Sequence, residues 1–195
     1  MPLVQPSSYK APFGFCNGHL QTTYPTFFRR VPLITQQRER IATPDNDFLD
    51  LDWAKKRSSG RLAILTHGLE GSSRSKYMQG MARALVQAGW NVLAWNFHSC
   101  SGEPNCRLRS YHSGAVDDLI TVLHHVQNET AVKEIALIGF SLGGNLLLKF
   151  LGDYGSTIDS RIRSAIAFSV PCNLADSAKQ MEQITNNFYM ARFLK

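Results

Sequence analysis

The sequence predicts an α/β protein built on a mostly parallel sheet with an antiparallel hairpin at its N-terminal side. Three observations carry that prediction. Short, wholly apolar runs, Leu62-Ala63-Ile64-Leu65 and Ile135-Ala136-Leu137-Ile138, fit strands covered on both faces, as parallel strands are. Segments with apolar residues at helical spacing lie between such runs. Earlier in the chain, Gln37–Thr43 alternates in polarity and leads into Pro44-Asp45-Asn46-Asp47, which is strong turn chemistry. Strands alternating with helices imply right-handed βαβ units.

In chain order, residues 1–36 are rich in proline, aromatic and polar residues without a clear period. They read as an irregular N-terminal arm lying over the domain. Residues 37–195 form the domain itself. Its hairpin covers 37–54, with Phe48, Leu49, Leu51 and Trp53 suited to the second strand. Leu62–Thr66 is the next strand. Met78, Met81, Ala82 and Leu85 mark a helix that Gly89 ends. Trp90–Phe97 is a strand, and His98–His112 a loop. Val116, Leu119, Ile120, Leu123 and Val126 form one face of a second helix, with Asp117 and Asp118 at its amino end, where the dipole favours them. Ile135–Phe140 is a strand. Leu142–Leu151 is apolar nearly all round, which predicts a buried helix. Ala165–Val170 is the last strand and Ala175–Leu194 a weak final helix.

At 195 residues the chain suffices for one domain. Its 44% hydrophobic and 18% charged residues are ordinary for a globular protein, and no apolar run approaches the ~18 residues of a membrane span. The amino terminus lacks the pattern of a secretory signal, so the expected location is the cytoplasm. The four cysteines, Cys16, Cys100, Cys106 and Cys172, are scattered and form no C-x-x-C pair, which argues for free thiols and against zinc. The net charge of +6 is dispersed, with Lys55-Lys56-Arg57 the longest basic run, and reads as solvated surface rather than a nucleic-acid footprint.

The chemistry centres on Gly139-Phe140-Ser141-Leu142-Gly143. The pattern G-x-S-x-G alone is weak, and a serine in a tight turn is the plain alternative. Its context strengthens it: an apolar strand runs directly into it and a helix leaves directly after it, as a nucleophile elbow requires. Such a turn holds the serine hydroxyl above the carboxyl ends of the strands, beside a helix amino end that favours negative charge. His67-Gly68-Leu69-Glu70-Gly71 follows the strand Leu62–Thr66 directly. Acyl transfer needs two preorganised N–H donors for its oxyanion. The residue after the nucleophile, Leu142, is one candidate, and Leu69 in this loop is the other. An ordinary glycine-rich turn is the alternative for the loop.

With these motifs the chain resembles the YheT-type esterases of the α/β-hydrolase superfamily. The matching blocks are Asn17–Thr22, Pro44–Trp53, His67–Ser73, Cys100–Asn105, Ser110–Gly114 and Gly139–Asn145, in that order. The resemblance implies an α/β-hydrolase fold, Ser141 as nucleophile, and carboxylesterase or acylglycerol lipase activity on a small-molecule or lipid ester, with no cofactor. One departure is His98-Ser99, where the family usually shows Arg-Gly. The family's acid and histidine follow the last strand seen here, beyond helical cap segments. This resemblance therefore makes the chain the N-terminal portion of the domain, ending at the start of the cap region, with its sheet incomplete on the C-terminal side.

All six histidines precede Ser141. His67 belongs to the oxyanion loop, and His124 and His125 to a helix surface. His19 and His112 read as structural hydrogen-bonding residues. Asp176 could serve as an acid in position only, with no histidine to orient. A working esterase, an inactive remnant or binding module keeping only the elbow, and an acyltransferase are all compatible with the sequence.

Overall fold

The computed structural model describes residues 8–54, 59–129 and 131–182, and the chain divides into two compact units, Met1–Val31 and Pro32–Lys195. Within the first unit, helix α1 spans Gly18–Phe28. The arm expected to be irregular over 1–36 is therefore partly helical. Asn17 caps the helix by accepting the His19 N–H at 2.8 Å, and the Thr22 and Thr23 hydroxyls bond back to the Gly18 and His19 carbonyls. Leu20, Tyr24, Phe27 and Phe28 do lie at helical spacing. Pro25 inside the helix disguises it, because an internal proline ordinarily argues against one.

The second unit carries a six-stranded sheet in the order β1-β2-β4-β3-β5-β6. Strands β1 (Gln37–Ala42) and β2 (Phe48–Ala54) form the expected antiparallel hairpin, and β2 continues antiparallel onto β4 (Asn91–Trp95). Strand β3 (Arg61–Thr66) lies parallel between β4 and β5 (Glu134–Phe140), and β6 (Ile162–Phe168) lies parallel on β5. Helices α2 (Lys76–Gln87), α3 (Asp117–Gln127) and α4 (Leu142–Tyr154) are the crossovers, followed by α5 (Leu174–Glu182). The expected continuation of α5 to Leu194 lies outside the described residues.

Alternation along β3 shows why the sheet is closed on both sides. Leu62 and Ile64 join a core with α3 and α4, including Leu119, Val122, Leu146 and Phe150. Ala63 and Leu65 join a core with α2, including Met78 and Ala82. Each large side chain buried in these layers contributes about 1.5–3 kcal/mol.

Two expectations need correction. Helix α4 is not buried all round: Gly143, Gly144, Leu146, Leu147 and Phe150 face inward, whereas Leu148 is 45% exposed. One side meets the sheet, and no layer covers the other among the described residues. The last strand starts at Ile162 and ends at Phe168 rather than running to Val170, because Ser169 adopts φ 51° and leaves the strand conformation. Ile166 and Phe168 on this edge strand are exposed.

The loop after β4 is pinned to the hairpin by Asp47. Its carboxylate accepts the N–H groups of Phe48, Cys106 and Arg107 and the Asn105 amide at 2.8–3.2 Å. Burial pushes this acid upward, but those four donors hold it at about 2.

Candidate functional site

Ser141 stands where β5 turns into α4. Its backbone lies at φ 49°, ψ −115°, outside the regions that L-residues favour. The turn is held from both sides: the Ser141 N–H donates to Phe168 O at 2.8 Å, and the Ser141 carbonyl accepts the Asn145 N–H at 2.9 Å. The residue is exposed. Glycines permit the geometry. A Cβ on Gly139 would lie 2.6 Å from Gly143 O, and one on Gly143 would overlap the backbone oxygens of Thr66 and His67. The Leu142 N–H, first in α4, has no acceptor among the described residues.

The loop after β3 packs against this turn. A Cβ on Gly68 would stand 3.2 Å from Ser141 Cβ and 3.3 Å from Phe140 O. The Gly68 N–H donates to the Tyr77 hydroxyl at 2.9 Å, the Glu70 N–H to the Tyr111 hydroxyl at 3.0 Å, and the Gly71 N–H to Gly68 O at 3.1 Å. The Leu69 N–H, between them, has no acceptor among the described residues, and Leu69 itself is exposed.

Strain gathers along this end of the sheet. Among the described residues, a non-glycine residue with positive φ follows each of the four parallel strands: Glu70 (53°) after β3, Ser99 (60°) after β4, Ser141 after β5 and Ser169 (51°) after β6. Each such backbone costs on the order of 1–3 kcal/mol and persists where its surroundings hold it. At Ser99 the hold is reciprocal: its N–H donates to Asn105 Oδ1 and its hydroxyl accepts the Asn105 N–H.

The histidines are engaged elsewhere. His67 is fully buried; its Nδ1 bonds to Gly68 O at 2.7 Å and its Nε2 accepts the Phe97 N–H at 3.1 Å. Both ring nitrogens are thus committed to shaping the loop, and burial pushes the imidazole down to about 4. His98 Nε2 lies 3.2 Å from Asp118 Oδ1, and this partner raises its pKa. Arg109 approaches the same carboxylate at 3.4 Å. His112 Nδ1 accepts the Gly114 N–H, His125 lies 3.1 Å from Glu39, and His124 is exposed. Asn173 accepts the Asp176 N–H at 3.2 Å at the start of α5, and the Asp176 carboxylate accepts the Asn173 side-chain amide. His19 lies in the N-terminal unit.

Sequence reasoning passed over Tyr77 and Tyr111. Tyr111 sat inside a noted block, Ser110–Gly114, but nothing in a linear sequence ties it to Glu70, 41 residues away. An apolar groove of about 360 Å3 between α3 and α4 is lined by Leu123, Phe150 and Ile162. Ile162 pairs with Ile135 near the start of β5, so this groove lies at the opposite end of the strands from Ser141. Among the described residues no group of three His, Cys, Asp or Glu side chains could hold a metal, and no helix is long and apolar enough to cross a membrane.

The fold is shared with known proteins. Residues 58–193 match the hydrolase family described as serine aminopeptidase, S33. The chain is 38% identical to YheT of Escherichia coli over 185 residues, covering 93% of this chain and 54% of that protein. It is 28% identical to human phospholipase ABHD3, covering 100% of this chain and 50% of that protein. The chain thus spans about half the length of the curated relatives it matches. Among solved structures, the Pyrococcus furiosus esterase Pf2001 superposes with a TM-score of 0.65 at 24% identity, covering 77% of this chain and 57% of that one. A serine hydrolase homologue from Coxiella burnetii superposes with a TM-score of 0.59 at 21% identity, covering 78% and 72%.

Proposed function

The chain belongs to the α/β-hydrolase superfamily, within the YheT-type family, and from that premise we propose that it supplies the nucleophile and oxyanion site of a serine hydrolase acting on carboxylic esters. The observation that carries the proposal is the packing of the Gly68 turn against Ser141, itself held at positive φ between β5 and α4. In this reading Ser141 Oγ attacks the ester carbonyl and passes its proton to a general base. The carbonyl oxygen becomes an oxyanion held by the Leu142 N–H at the amino end of α4 and the Leu69 N–H of the loop after β3. Collapse expels the alcohol, which takes a proton, and leaves acyl-Ser141. Water then attacks this ester, releasing the acid and restoring the serine. No step calls on a metal or cofactor.

The base is a condition of the reading. Every histidine of the chain precedes Ser141. Those of the α/β unit are spent on loop shape, on carboxylates, or on an exposed helix face. The reading therefore requires a histidine and an acid from beyond these residues, as the order of triad groups in this fold demands. Ester substrates are favoured over peptides because relatives carry the names esterase, phospholipase and monoacylglycerol lipase, although the family description names an aminopeptidase.

A fluorophosphonate probe on the native gene product tests the proposal. Covalent labelling at Ser141, lost in Ser141→Ala, with p-nitrophenyl acyl ester turnover exceeding aminoacyl p-nitroanilide turnover, is expected. Absence of labelling would instead favour a binding module that retains only the elbow.

A further inference from the structure

Three consecutive amides cross the loop beside Ser141, and the fold treats them differently. The Gly68 N–H is taken by the hydroxyl of Tyr77, which stands on α2. The Glu70 N–H is taken by the hydroxyl of Tyr111, which comes from the loop between β4 and α3. The Leu69 N–H, between them, is left open. Adjacent peptide planes share their Cα atoms, so fixing the planes on both sides leaves the middle N–H little freedom of direction.

Each tyrosine is itself held. The Tyr111 ring stacks on Phe97 at 4.9 Å and 5°, and Phe97 meets His67 edge-on at 4.6 Å. The Tyr111 hydroxyl also donates to Glu70 Oε1 at 3.0 Å, so it grips one residue through both backbone and side chain. That residue has φ 53°, a conformation it would readily leave if its N–H were released. The Tyr77 ring lies 5.0 Å from Phe140, the residue before Ser141. Its hydroxyl reaches the loop only because position 71 is glycine, where a Cβ would come within 2.5 Å of that oxygen. Burial raises both phenols, so each remains a neutral hydroxyl able to accept an amide and donate at once.

Resting on the hydrolase reading above, we propose that Tyr77 and Tyr111 are positioning residues that bracket the loop and aim the Leu69 N–H at the oxyanion. Neither touches the reacting atoms. An oxyanion donor acts only within about 3 Å of the oxygen it serves, so a loop free to rotate this peptide loses the donor without losing substrate binding.

The test uses Tyr77→Phe and Tyr111→Phe in the native gene product, with Tyr154→Phe on the exposed side of α4 as a control. Removing each hydroxyl keeps the ring and its stacking. Fluorophosphonate labelling of Ser141 should slow about 10-fold or more in either variant. In ester turnover kcat should fall with KM unchanged within about two-fold. The double variant should lose less than the product of the single losses, because the two hydroxyls hold one peptide plane. Amide exchange should quicken at Gly68 in Tyr77→Phe and at Glu70 in Tyr111→Phe, while Tyr154→Phe changes nothing. Labelling at the wild-type rate in both tyrosine variants would overturn the bracket and leave the hydrolase reading intact. So would a loss confined to KM. A wild-type protein that never labels would overturn both together.

Discussion

Gly68 follows β3 and Ser141 follows β5, yet the two turns meet: a methyl group on Gly68 would stand 3.2 Å from Ser141 Cβ. That separation is tighter than ordinary van der Waals contact, and Phe140 O lies almost as close, at 3.3 Å. Gly68→Ala should therefore shift one loop against the other. The expected outcome is a loss of about 1–2 kcal/mol in denaturant melts, the usual scale of overpacking, together with slower phosphonate labelling of Ser141. A variant that melts and labels like the wild type would show that the two turns do not constrain each other.

Ser141 offers a second test, in which stability and chemistry move in opposite directions. Ser141→Ala should remove essentially all turnover, since loss of a triad nucleophile costs about 10⁶ in kcat. Ser141→Gly should be equally inactive but more stable than the alanine variant by about 1 kcal/mol, because only glycine accepts φ 49° without strain. Thermal melts of the two variants side by side measure the strain directly.

The buried imidazoles set a pH optimum for folding. His67, held near 4, stays neutral in the folded state while an unfolded chain binds a proton below about 6.5. Between those values stability should rise with pH, with a limiting slope of about 1.4 kcal/mol per unit. His98 works in the other direction. Asp118 raises its pKa, so its contribution is full below 6.5 and fades as pH climbs through the raised value. Stability should therefore peak near pH 6.5. His67→Gln should flatten the acid limb and His98→Asn the alkaline limb, as read by denaturant midpoints across pH. A profile unchanged by either substitution would refute the assignment.

Residues 1–195 produced alone should turn over no ester, because no histidine of this stretch follows the serine, as the order of triad groups in this fold requires. They should also self-associate. Edge strand β6 exposes Ile166 and Phe168, and an open edge of that kind pairs readily with another. Ile166→Lys should shift the protein towards monomer in sedimentation. A monodisperse wild-type chain with Ser141-dependent activity would contradict both halves.

The sequence made the inner sheet legible because β3, β4 and β5 are apolar on both faces, a pattern few other structures require. The elbow was legible for a related reason: Gly139 and Gly143 occupy positions where a side chain would strike backbone. Helix α1 was obscured by Pro25, and the one-sided burial of α4 by Leu148, whose apolar character does not reveal which neighbours it meets. The tyrosine bracket was invisible because both contacts depend on hydroxyl positions set by tertiary packing. Engagement of His67 through both nitrogens was equally hidden, since a histidine beside a glycine loop looks the same in sequence whether free or bound.

The left-handed residues after β3, β4, β5 and β6 carry a consequence for how such a protein changes over generations. At Ser99 a glycine would relax the backbone, keep the backbone N–H bond to Asn105 Oδ1 and forfeit only the hydroxyl that accepts the Asn105 N–H. At Ser141 the same substitution would relax the backbone and delete the proposed nucleophile. Drift under pressure for thermal robustness alone would therefore be free to move at one of these positions and would be fatal at the other. A library of single glycine replacements across the four positions, sorted once for folding and once for labelling, would separate the tolerant corners of this edge from the one on which the chemistry depends.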